Sequence, residues 1–390
     1  MEVLLVNNQL HLGGAETVVH QLWSRIPTAR LLVAESSSTK EEAMYPRLLS
    51  RLNHSRLHPL IEKWFPISEW TERRFRQLAS DRADIVHIHN FHGSYASVEA
   101  LAEVAKAKRI VWTFHGLWGV TGGCDHPKGC QRYLDRCGNC PQIGLWPIGP
   151  VDRTAEELAR KKFALTDLPL EIIVPSRYFY RVIESSPIGR KWKLHHIPNG
   201  IDATKFRPSQ STVGKLNVLV VNRSFKDPHK GFEFIRGAFR SVKLEGIRLT
   251  LVGSHSDWAK EQLKSELEIR TVDYVKEARK LAELYGESHI LLFASPAENF
   301  PCVILEAMAS GCCVVATPSG GVTEQIENGV TGLLAAEISG EALGSTLAEA
   351  LVQPRRIPEV AEAARRAVID KFSEDQMIEE HLKVYRAIVG

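Results

Sequence analysis

The sequence predicts an α/β protein made of two Rossmann-like domains, and three observations support this fold class. Short apolar segments alternate with longer segments of helical spacing almost from end to end, which is typical of parallel sheets with helices on both faces. The alternation starts again near residue 216. A length of 390 residues also suits two domains better than one. Because open α/β sheets bind ligands at the carboxyl ends of their strands, we expect the two domains to face a central cleft.

The strands are predicted from apolar runs of four to six residues, and the helices from amphipathic spacing between them. In the first half the predicted strands are Val3–Val6, Leu31–Ala34, Asp84–Ile88, Arg109–Phe114 and Glu171–Val174, with helices over Glu16–Arg25 and Val98–Ala107. In the second half the predicted strands are Leu216–Val221, Arg248–Val252, Ile290–Phe293 and Cys313–Ala316.

A turn between the two halves marks the predicted domain boundary. The residues Pro198-Asn199-Gly200 have turn chemistry, because proline fixes φ and Asn-Gly tolerates positive φ. The hinge is predicted just after this turn, which gives an N-terminal domain over residues 1–203 and a C-terminal domain over residues 204–371.

Composition narrows the class of protein. Hydrophobic residues make up 44% and charged residues 24% of the chain, the balance of a globular protein. No run of eighteen apolar residues occurs, and the N-terminus lacks the features of a signal peptide, so the expected location is the cytoplasm. A net charge of +3 is too small to indicate a nucleic-acid partner.

The segment 47–82 is rich in basic residues with aromatic residues between them. It contains Arg47, Arg51, Arg56, Lys63, Arg73, Arg74, Arg76 and Arg82, with Trp64, Phe65, Trp70 and Phe75. Such a segment fits peripheral contact with the anionic inner face of a membrane or with an anionic acceptor. It also fits a solvated helix whose aromatic side chains face the core.

Two carboxylates near a predicted strand end are the first candidates for chemistry. Glu298 lies in the loop after the strand that ends at Phe293, and Glu306 lies in the second turn of the helix that follows. Pro301 sits where a first helical residue is favourable. Carboxylates at this spacing can each accept hydrogen bonds from a pair of sugar hydroxyls. An ordinary strand–helix unit with Glu298 as a helix-start charge would give the same spacing.

Several motifs, in the same order, resemble the GT4 family of glycosyltransferases, which have the two-domain GT-B fold. Glu298 and Glu306 are similar to the family's E-x7-E motif, and the segment 320–334 is similar to its continuation. The segment 197–202, with Phe206 and Pro208 after it, resembles the signature that lies between the two domains in this family. Asp84–His89 and Val174–Arg177 resemble strands of the family's N-terminal domain. The resemblance covers nearly the whole chain.

The resemblance implies roles for residues of the second domain. Glu306 would hold the ribose of a nucleotide-sugar donor, and Glu298 the transferred sugar, together with the backbone around Asn299 and Phe300. Arg223 and Lys230 are similar to the two family cations that bind the diphosphate. Two fixed cations can stabilise the negative charge that develops on the departing nucleotide without a metal ion. From position alone, Arg223 and Lys230 also fit surface cations beside a strand end that bind no ligand.

The first domain contributes a glycine turn and a histidine. Gly13 and Gly14 follow the first strand and open a helix, so their backbone N–H groups can approach a phosphate. The third glycine of a dinucleotide-binding fingerprint is missing, and the turn also fits a plain strand-to-helix connection. His115 follows a predicted strand and resembles the family histidine that reaches the transferred sugar; a lone histidine there is often structural.

Four of the seven cysteines lie in a short segment that departs from the common family pattern. Cys124, Cys130, Cys137 and Cys140 are expected to hold a structural zinc ion, with His126 as an alternative ligand. Disulfides and free thiols are the alternatives. A site with four protein ligands would be closed and therefore not catalytic. Apart from this zinc, no cofactor is expected.

The predicted function is retaining transfer of a sugar from a UDP- or GDP-linked donor to a glycan or lipid-linked acceptor that serves polysaccharide synthesis. The C-terminal segment 372–390 resembles the family helix that crosses back to the first domain. Two other functions remain open at this point. A nucleotide-sugar epimerase of the same fold would share the donor site, and a non-catalytic scaffold would lose it.

Overall fold

The computed structural model describes residues 1–9, 13–34, 41–44, 67–92, 95–209, 215–241, 246–263 and 267–390. The chain divides into two compact units. The first contains Met1–Ile197 and Ile378–Gly390, and the second contains Pro198–Met377. Each unit is an α/β layered structure around one all-parallel sheet, so the predicted fold class is confirmed.

The described part of the first unit has a seven-stranded sheet in the order β3-β2-β1-β4-β5-β6-β7. Every neighbouring pair is parallel. The central strands β1 and β4 are buried on both faces, which is why they are mostly apolar. The strands are β1 (Val3–Asn7), β2 (Ala29–Val33), β3 (Glu42–Ala43), β4 (Ile85–Ile88), β5 (Arg109–Thr113), β6 (Leu170–Val174) and β7 (Lys193–His196).

Amphipathic helices cover this sheet. The helix Arg177–Ser185 shows how they begin, because the hydroxyl of Ser176 accepts a hydrogen bond from the backbone N–H of Phe179 and caps the first turn. In the described residues before Pro198, the α-helices of the unit are Gly14–Arg25, Ile67–Arg76, Val98–Ala105, Thr154–Leu165 and Arg177–Ser185, with 3-10 turns at Gln77–Ser80, Trp118–Val120, Arg132–Leu134 and Gly189–Lys191.

The second unit repeats the architecture with six strands in its described residues, in the order β10-β9-β8-β11-β12-β13. All pairs are again parallel. The strands are β8 (Leu216–Ser224), β9 (Ile247–Ser254), β10 (Glu268–Val272), β11 (Ile290–Phe293), β12 (Cys313–Ala316) and β13 (Leu333–Leu334). The helices are Phe232–Ser241, Ser256–Leu263, Ala278–Gly286, Cys302–Ala309, Val322–Gln325, Gly340–Val352 and Arg356–Lys371, with a 3-10 turn at Pro228–Lys230.

Strand order fixes where each unit can bind a ligand. In both sheets the first strand of the unit lies between the second and the fourth, so the direction of winding reverses between β1 and β4 and between β8 and β11. In doubly wound sheets the connections leave this point on opposite faces and open a crevice at the carboxyl ends of the strands. Residues that follow β1, β4, β8 and β11 are therefore the best-placed candidates for binding.

The boundary between the units differs from the predicted one. It lies at Pro198 rather than after 203, and the chain returns to the first unit at Ile378 rather than at 372. The reason is local pairing inside the second unit: the N–H of Ile201 donates to the carbonyl of Phe372, and the N–H of Glu374 donates to the carbonyl of Ile201. The last helix, Glu374–Val389, therefore begins in the second unit and ends in the first.

Most of the basic segment 47–82 lies outside the described residues, from 47 to 66. In the described helix Ile67–Arg76, Phe75 is buried in the core, while Arg74 pairs with Glu42 and Arg76 with Glu72. The described part of the segment therefore fits the alternative of a solvated helix whose aromatic side chains face the core. Membrane contact by the rest stays a prediction. Among the described residues, no helix combines the length and the hydropathy that crossing a membrane would need.

Candidate active site

A tight turn after β8 brings a lysine to the end of β11. The 3-10 turn Pro228–Lys230 is capped by Asp227, whose carboxylate accepts the backbone N–H of His229 at 2.9 Å. Gly231 follows with φ of 68°. Its backbone lies so close to the end of β11 that an added Cβ would be 2.0 Å from the carbonyl oxygen of Ala294. Only glycine fits both the conformation and the space, and this contact fixes Lys230 at the switch point.

Lys230 and Glu298 form an ion pair at this point. The Nζ atom of Lys230 donates to Oε1 of Glu298 at 2.9 Å, and the Glu298 side chain is only 13% exposed. Desolvation by the surrounding protein acts to lower the pKa of Lys230, but the Glu298 carboxylate outweighs it, so the pKa is raised. Lys230 is therefore a fixed cation beside a fixed carboxylate.

The loop that carries Glu298 is held at its backbone by two side-chain amides. Nδ2 of Asn199 donates to the carbonyl oxygen of Phe300 at 2.8 Å, and Nε2 of Gln325 donates to that of Pro301 at 3.1 Å. Asn299 and Phe300 are both buried, and the Phe300 ring packs against that of Phe372 with centroids 5.5 Å apart. The loop is thus held in place by side chains from outside it.

The helix after this loop begins one residue later than expected. Pro301 is extended, with ψ of 123°, and the helix runs from Cys302 to Ala309. Proline was predicted as the first helical residue, but here it supplies the cap position, where the carbonyl that Gln325 holds keeps the chain extended. Glu306 still falls in the second turn.

Glu306 is buried beside a tyrosine. The hydroxyl of Tyr285 donates to Oε2 of Glu306 at 2.8 Å, and Glu306 is 7% exposed. Burial raises the pKa of Glu306 to about 7, although the hydrogen bond from Tyr285 acts in the opposite direction. Glu306 therefore changes charge near neutral pH, where an ordinary glutamate is fully ionised.

The second predicted cation is placed differently from Lys230. Arg223 lies near the end of β8 and is exposed. It is close enough to Lys230 for its charge to lower the lysine pKa slightly. Arg223 lies near the end of β8 and Lys230 follows that strand, while Glu298 and Glu306 follow β11. The four residues therefore belong to the segments that follow two adjacent strands of one sheet, the region where open α/β sheets bind ligands.

In the first unit, the glycine turn lies at the switch point of its own sheet. Gly13 directly precedes the helix Gly14–Arg25. Oε1 of Glu16 in that helix accepts a hydrogen bond from Nδ2 of Asn90, which follows β4, at 3.1 Å. The turn after β1 and the loop after β4 are thereby joined. Gly13 and Gly14 lie where backbone N–H groups can meet an anion.

His115 follows β5 and belongs to a group of histidines at the same edge of the sheet. Its Nε2 lies 3.0 Å from Nδ1 of His89, so one ring donates and the other accepts. Part of the His115 surface is accessible, yet the protein around the ring desolvates it, and with His92 and His381 nearby its pKa falls to about 3. Burial also lowers the pKa of His89 well below its ordinary value. His115 is therefore a neutral hydrogen-bonding group.

The sequence analysis missed three residues that position this site. Tyr285, His89 and Asn199 each hold a predicted residue or its loop. Asn199 stands in the turn that was read as a hinge, and His89 stands in the pattern His-x-His after a strand, so both carried a signal. Tyr285 carried none, because its partner is 21 positions away in a different helix.

The four clustered cysteines lie in the connection between β5 and β6. All four are free thiols. Among the residues that the structure describes, no three His, Cys, Asp or Glu side chains stand ready to hold a metal ion. The alternative ligand His126 packs its ring against Phe179 instead.

Comparison with known proteins matches both halves of the chain to family models. Residues 12–205 match the model described as Glycosyltransferase Family 4, and residues 215–353 match the model described as Glycosyl transferases group 1. A similar protein in Escherichia coli K12 carries the name "Putative colanic acid biosynthesis glycosyl transferase WcaC". It is 23% identical over an alignment of 326 residues, and the match covers 77% of this chain and 76% of that protein.

Solved structures share the fold over the full length. Sucrose-phosphate synthase from Thermosynechococcus elongatus has a TM-score of 0.73 at 17% identity, covering 100% of this chain and 99% of that one. HepE from Anabaena, solved in complex with UDP-glucose, has a TM-score of 0.67 at 17% identity, covering 99% of this chain and 100% of that one. At this level of identity the likeness shows the fold alone.

Proposed function

Because the chain belongs to the group 1 and family 4 glycosyltransferases, we propose that it moves a sugar from a nucleotide-diphosphate donor to a glycan or lipid-linked acceptor with retention of anomeric configuration. The observation that carries the proposal is the ion pair of Lys230 and Glu298 at the β8/β11 switch point, with buried Glu306 on the next helix. The UDP-glucose bound by HepE supports a nucleotide-sugar donor. The name of the WcaC relative supports an acceptor used in polysaccharide synthesis.

The proposed reaction depends on cations that stabilise the leaving diphosphate, and it uses no side chain as a general base. The bond from the anomeric carbon to the diphosphate oxygen breaks, and a bond to the acceptor oxygen forms on the same face. The acceptor proton passes to the departing phosphate oxygen. Lys230 and Arg223 stabilise the negative charge that grows on the diphosphate, so we propose that transfer proceeds without a metal ion.

The two carboxylates divide the recognition of the donor. Glu306 accepts hydrogen bonds from the ribose hydroxyls, and Glu298 accepts them from the transferred sugar while it keeps Lys230 in place. The backbone of Asn299 and Phe300 contributes to the same sugar contact. In the first unit, neutral His115 is proposed to hydrogen-bond the transferred sugar, and the N–H groups of Gly13 and Gly14 to approach the phosphates.

Glu298→Ala separates sugar transfer from nucleotide binding. Transfer should be abolished because the sugar loses its contact. Nucleotide affinity should be kept, because Lys230 loses a competing carboxylate and stays available to the diphosphate. The measurements are product formation and the melting temperature with UDP, GDP or ADP, each with and without EDTA. A ligand that binds the folded state raises the melting temperature by mass action, so one nucleotide should raise it, undiminished by EDTA.

Glu268→Ala is the matched control for this experiment. Glu268 also pairs with a lysine, Lys215, but it begins β10 at the amino edge of the same sheet. Removal of the Glu268 carboxylate should change neither product formation nor the melting temperature with nucleotide. Full transfer by the Glu298 variant would contradict the assigned sugar contact. If no nucleotide raised the melting temperature of the native protein, or if a donor were isomerised without acceptor, the proposed transfer itself would be wrong.

Tyr285→Phe should shift the pH dependence of nucleotide binding to higher pH. The carboxylate form of Glu306 accepts the ribose hydroxyls, so affinity should rise as pH increases through about 7. Tyr285 lowers the pKa of Glu306 by its hydrogen bond, and the loss of that bond should raise the midpoint by about one pH unit. Titration of nucleotide affinity between pH 5.5 and 9 (about two units to either side of the midpoint) measures the shift.

Tyr385→Phe is the control for that substitution. Tyr385 is likewise fully buried, and its hydroxyl lies 2.6 Å from Nδ1 of His87 in the first unit. Its loss removes a buried hydroxyl without touching Glu306, so the midpoint should stay in place. Equal midpoints in all three proteins would show that Glu306 does not control the affinity.

A further inference from the structure

The four clustered cysteines surround one small cavity. Cys124, Cys130, Cys137 and Cys140 all line it, with a volume of about 20 Å³. A space of this size holds about one occupant as large as a water molecule. Cysteines separated by up to sixteen positions in a segment with little regular structure have therefore been brought to a common point.

Positive φ angles recur in the backbone before these cysteines. Residues with positive φ immediately precede three of the four: Gly123 (138°) before Cys124, Gly129 (83°) before Cys130, and Asn139 (47°) before Cys140. Turns of this kind direct successive backbone N–H groups to one side, where they stabilise anions such as thiolates. A free thiol that served only as a small buried residue would not need three such turns.

Contacts within the segment hold these turns in place. Arg132 donates to the carbonyl oxygens of Gly138 and Asn139 and so closes the turn between Cys137 and Cys140. The hydroxyl of Thr121 donates to the carbonyl oxygen of Cys124 at 2.7 Å. Gly122 lies so close to the second half of the segment that an added Cβ would be 2.9 Å from Cβ of Cys137. The two halves of the cluster are thus packed against each other.

A neighbouring lysine ties the cluster to the sheet-covering helix Thr154–Leu165. Lys161 is fully buried, and its Nζ atom donates to the carbonyl oxygens of Trp118 and Thr121 at 2.8 and 3.1 Å. The same atom stacks over the Trp118 ring, 3.4 Å from its centroid. The start of the cysteine segment is therefore anchored, so the cavity is built into the unit rather than placed on a loose loop.

We propose that Cys124, Cys130, Cys137 and Cys140 bind one structural Zn²⁺ in this cavity. Among the described residues, no aspartate, glutamate or histidine lines this cavity, and four sulfur donors favour zinc in tetrahedral geometry. Side-chain rotations must bring the sulfur atoms to about 2.3 Å from the ion. With four protein ligands the site is closed, so the zinc stabilises the connection between β5 and β6 and takes no part in transfer. This proposal does not depend on the proposed function.

The test is the metal content of the native full-length chain, purified without chelator and measured by elemental mass spectrometry. About one zinc per chain is expected. Replacement by Co²⁺ should give the strong visible bands and the thiolate charge-transfer band of a tetrahedral four-sulfur site. The double variant Cys137→Ser/Cys140→Ser should lose the metal and melt at a lower temperature. Cys313→Ala, which removes a buried cysteine of β12, should keep it.

Three results would overturn the proposal. The first is a chain without bound zinc in which all seven thiols react with a thiol reagent after denaturation. The second is a chain in which fewer thiols react unless it is first reduced, which would show disulfides. The third is stoichiometric iron in place of zinc. All three results come from the chain without substitutions, so they test the proposal even if the double cysteine variant fails to fold.

Discussion

Lys230→Met should lower the rate of sugar transfer by about 100-fold or more, because a fixed donor to developing transition-state charge typically contributes that much. Methionine keeps an unbranched side chain, one atom shorter than lysine, but loses the charge that faces Glu298 at 2.9 Å. Nucleotide affinity should fall as well, since the diphosphate would meet the Glu298 carboxylate without the lysine charge beside it. This pattern differs from that of Glu298→Ala, which spares the affinity. Initial rates and nucleotide titrations of both variants measure the difference.

Lys215→Met is the matched control for that substitution. Lys215 pairs with Glu268 at 3.2 Å beside the amino end of β8, so the same charge is lost from the same unit at the opposite edge of the sheet. Its transfer rate should stay close to that of the native chain. Similar rates for the two methionine variants would show that Lys230 contributes no specific stabilisation, and the assignment of the diphosphate site would then be wrong.

Gly231→Ala should destabilise the second unit and weaken donor binding together. The free energy of unfolding should fall by about 3 kcal/mol or more, because alanine at positive φ is strained and its methyl group must displace backbone. That backbone is the carbonyl of Ala294, 2.0 Å from the added Cβ. Any shift of the turn also moves Lys230 away from Glu298. Chemical denaturation and nucleotide titration measure the two effects.

Gly246→Ala separates strain from the close contact. Gly246 has φ of 79°, similar to the 68° of Gly231, but no atom of the described residues lies within 4 Å of an added Cβ. Gly246→Ala should therefore lower the free energy of unfolding by only about 1 kcal/mol, the contribution of backbone strain alone, and should leave donor affinity unchanged. Equal losses at both positions would mean that the approach of Gly231 to Ala294 does not hold the turn.

How much of the fold could be predicted depended on burial. The strands β1, β4, β8, β11 and β12 lie inside their sheets and are rich in buried apolar residues, so they were predicted within about two residues except at the C-terminal end of β8. The edge strand β7 reads Lys-Leu-His-His and the edge strand β10 begins with an exposed glutamate. Edge strands have one side without a partner and tolerate polar residues, so both were missed.

The residues of the candidate site also differ in how far the sequence could predict them. The spacing of Glu298 and Glu306 lies within one loop and helix, so a local pattern was sufficient to select both. The partners of these residues come from elsewhere in the chain: Lys230 lies 68 positions from Glu298, and Tyr285 lies 21 positions from Glu306. No periodicity in the sequence relates residues so far apart.

The sequence by itself determined the α/β class, the two repeated units and the residues able to carry charge or thiols, because these follow from local periodicity and side-chain type. Only the tertiary structure decided which of them meet. The parallel order that places β8 beside β11 joins Lys230 to Glu298. Burial then sets the pKa of Glu306 near 7 and keeps His115 neutral. Proximity and desolvation are properties of the packed chain, and neither exists until strands distant in sequence pair.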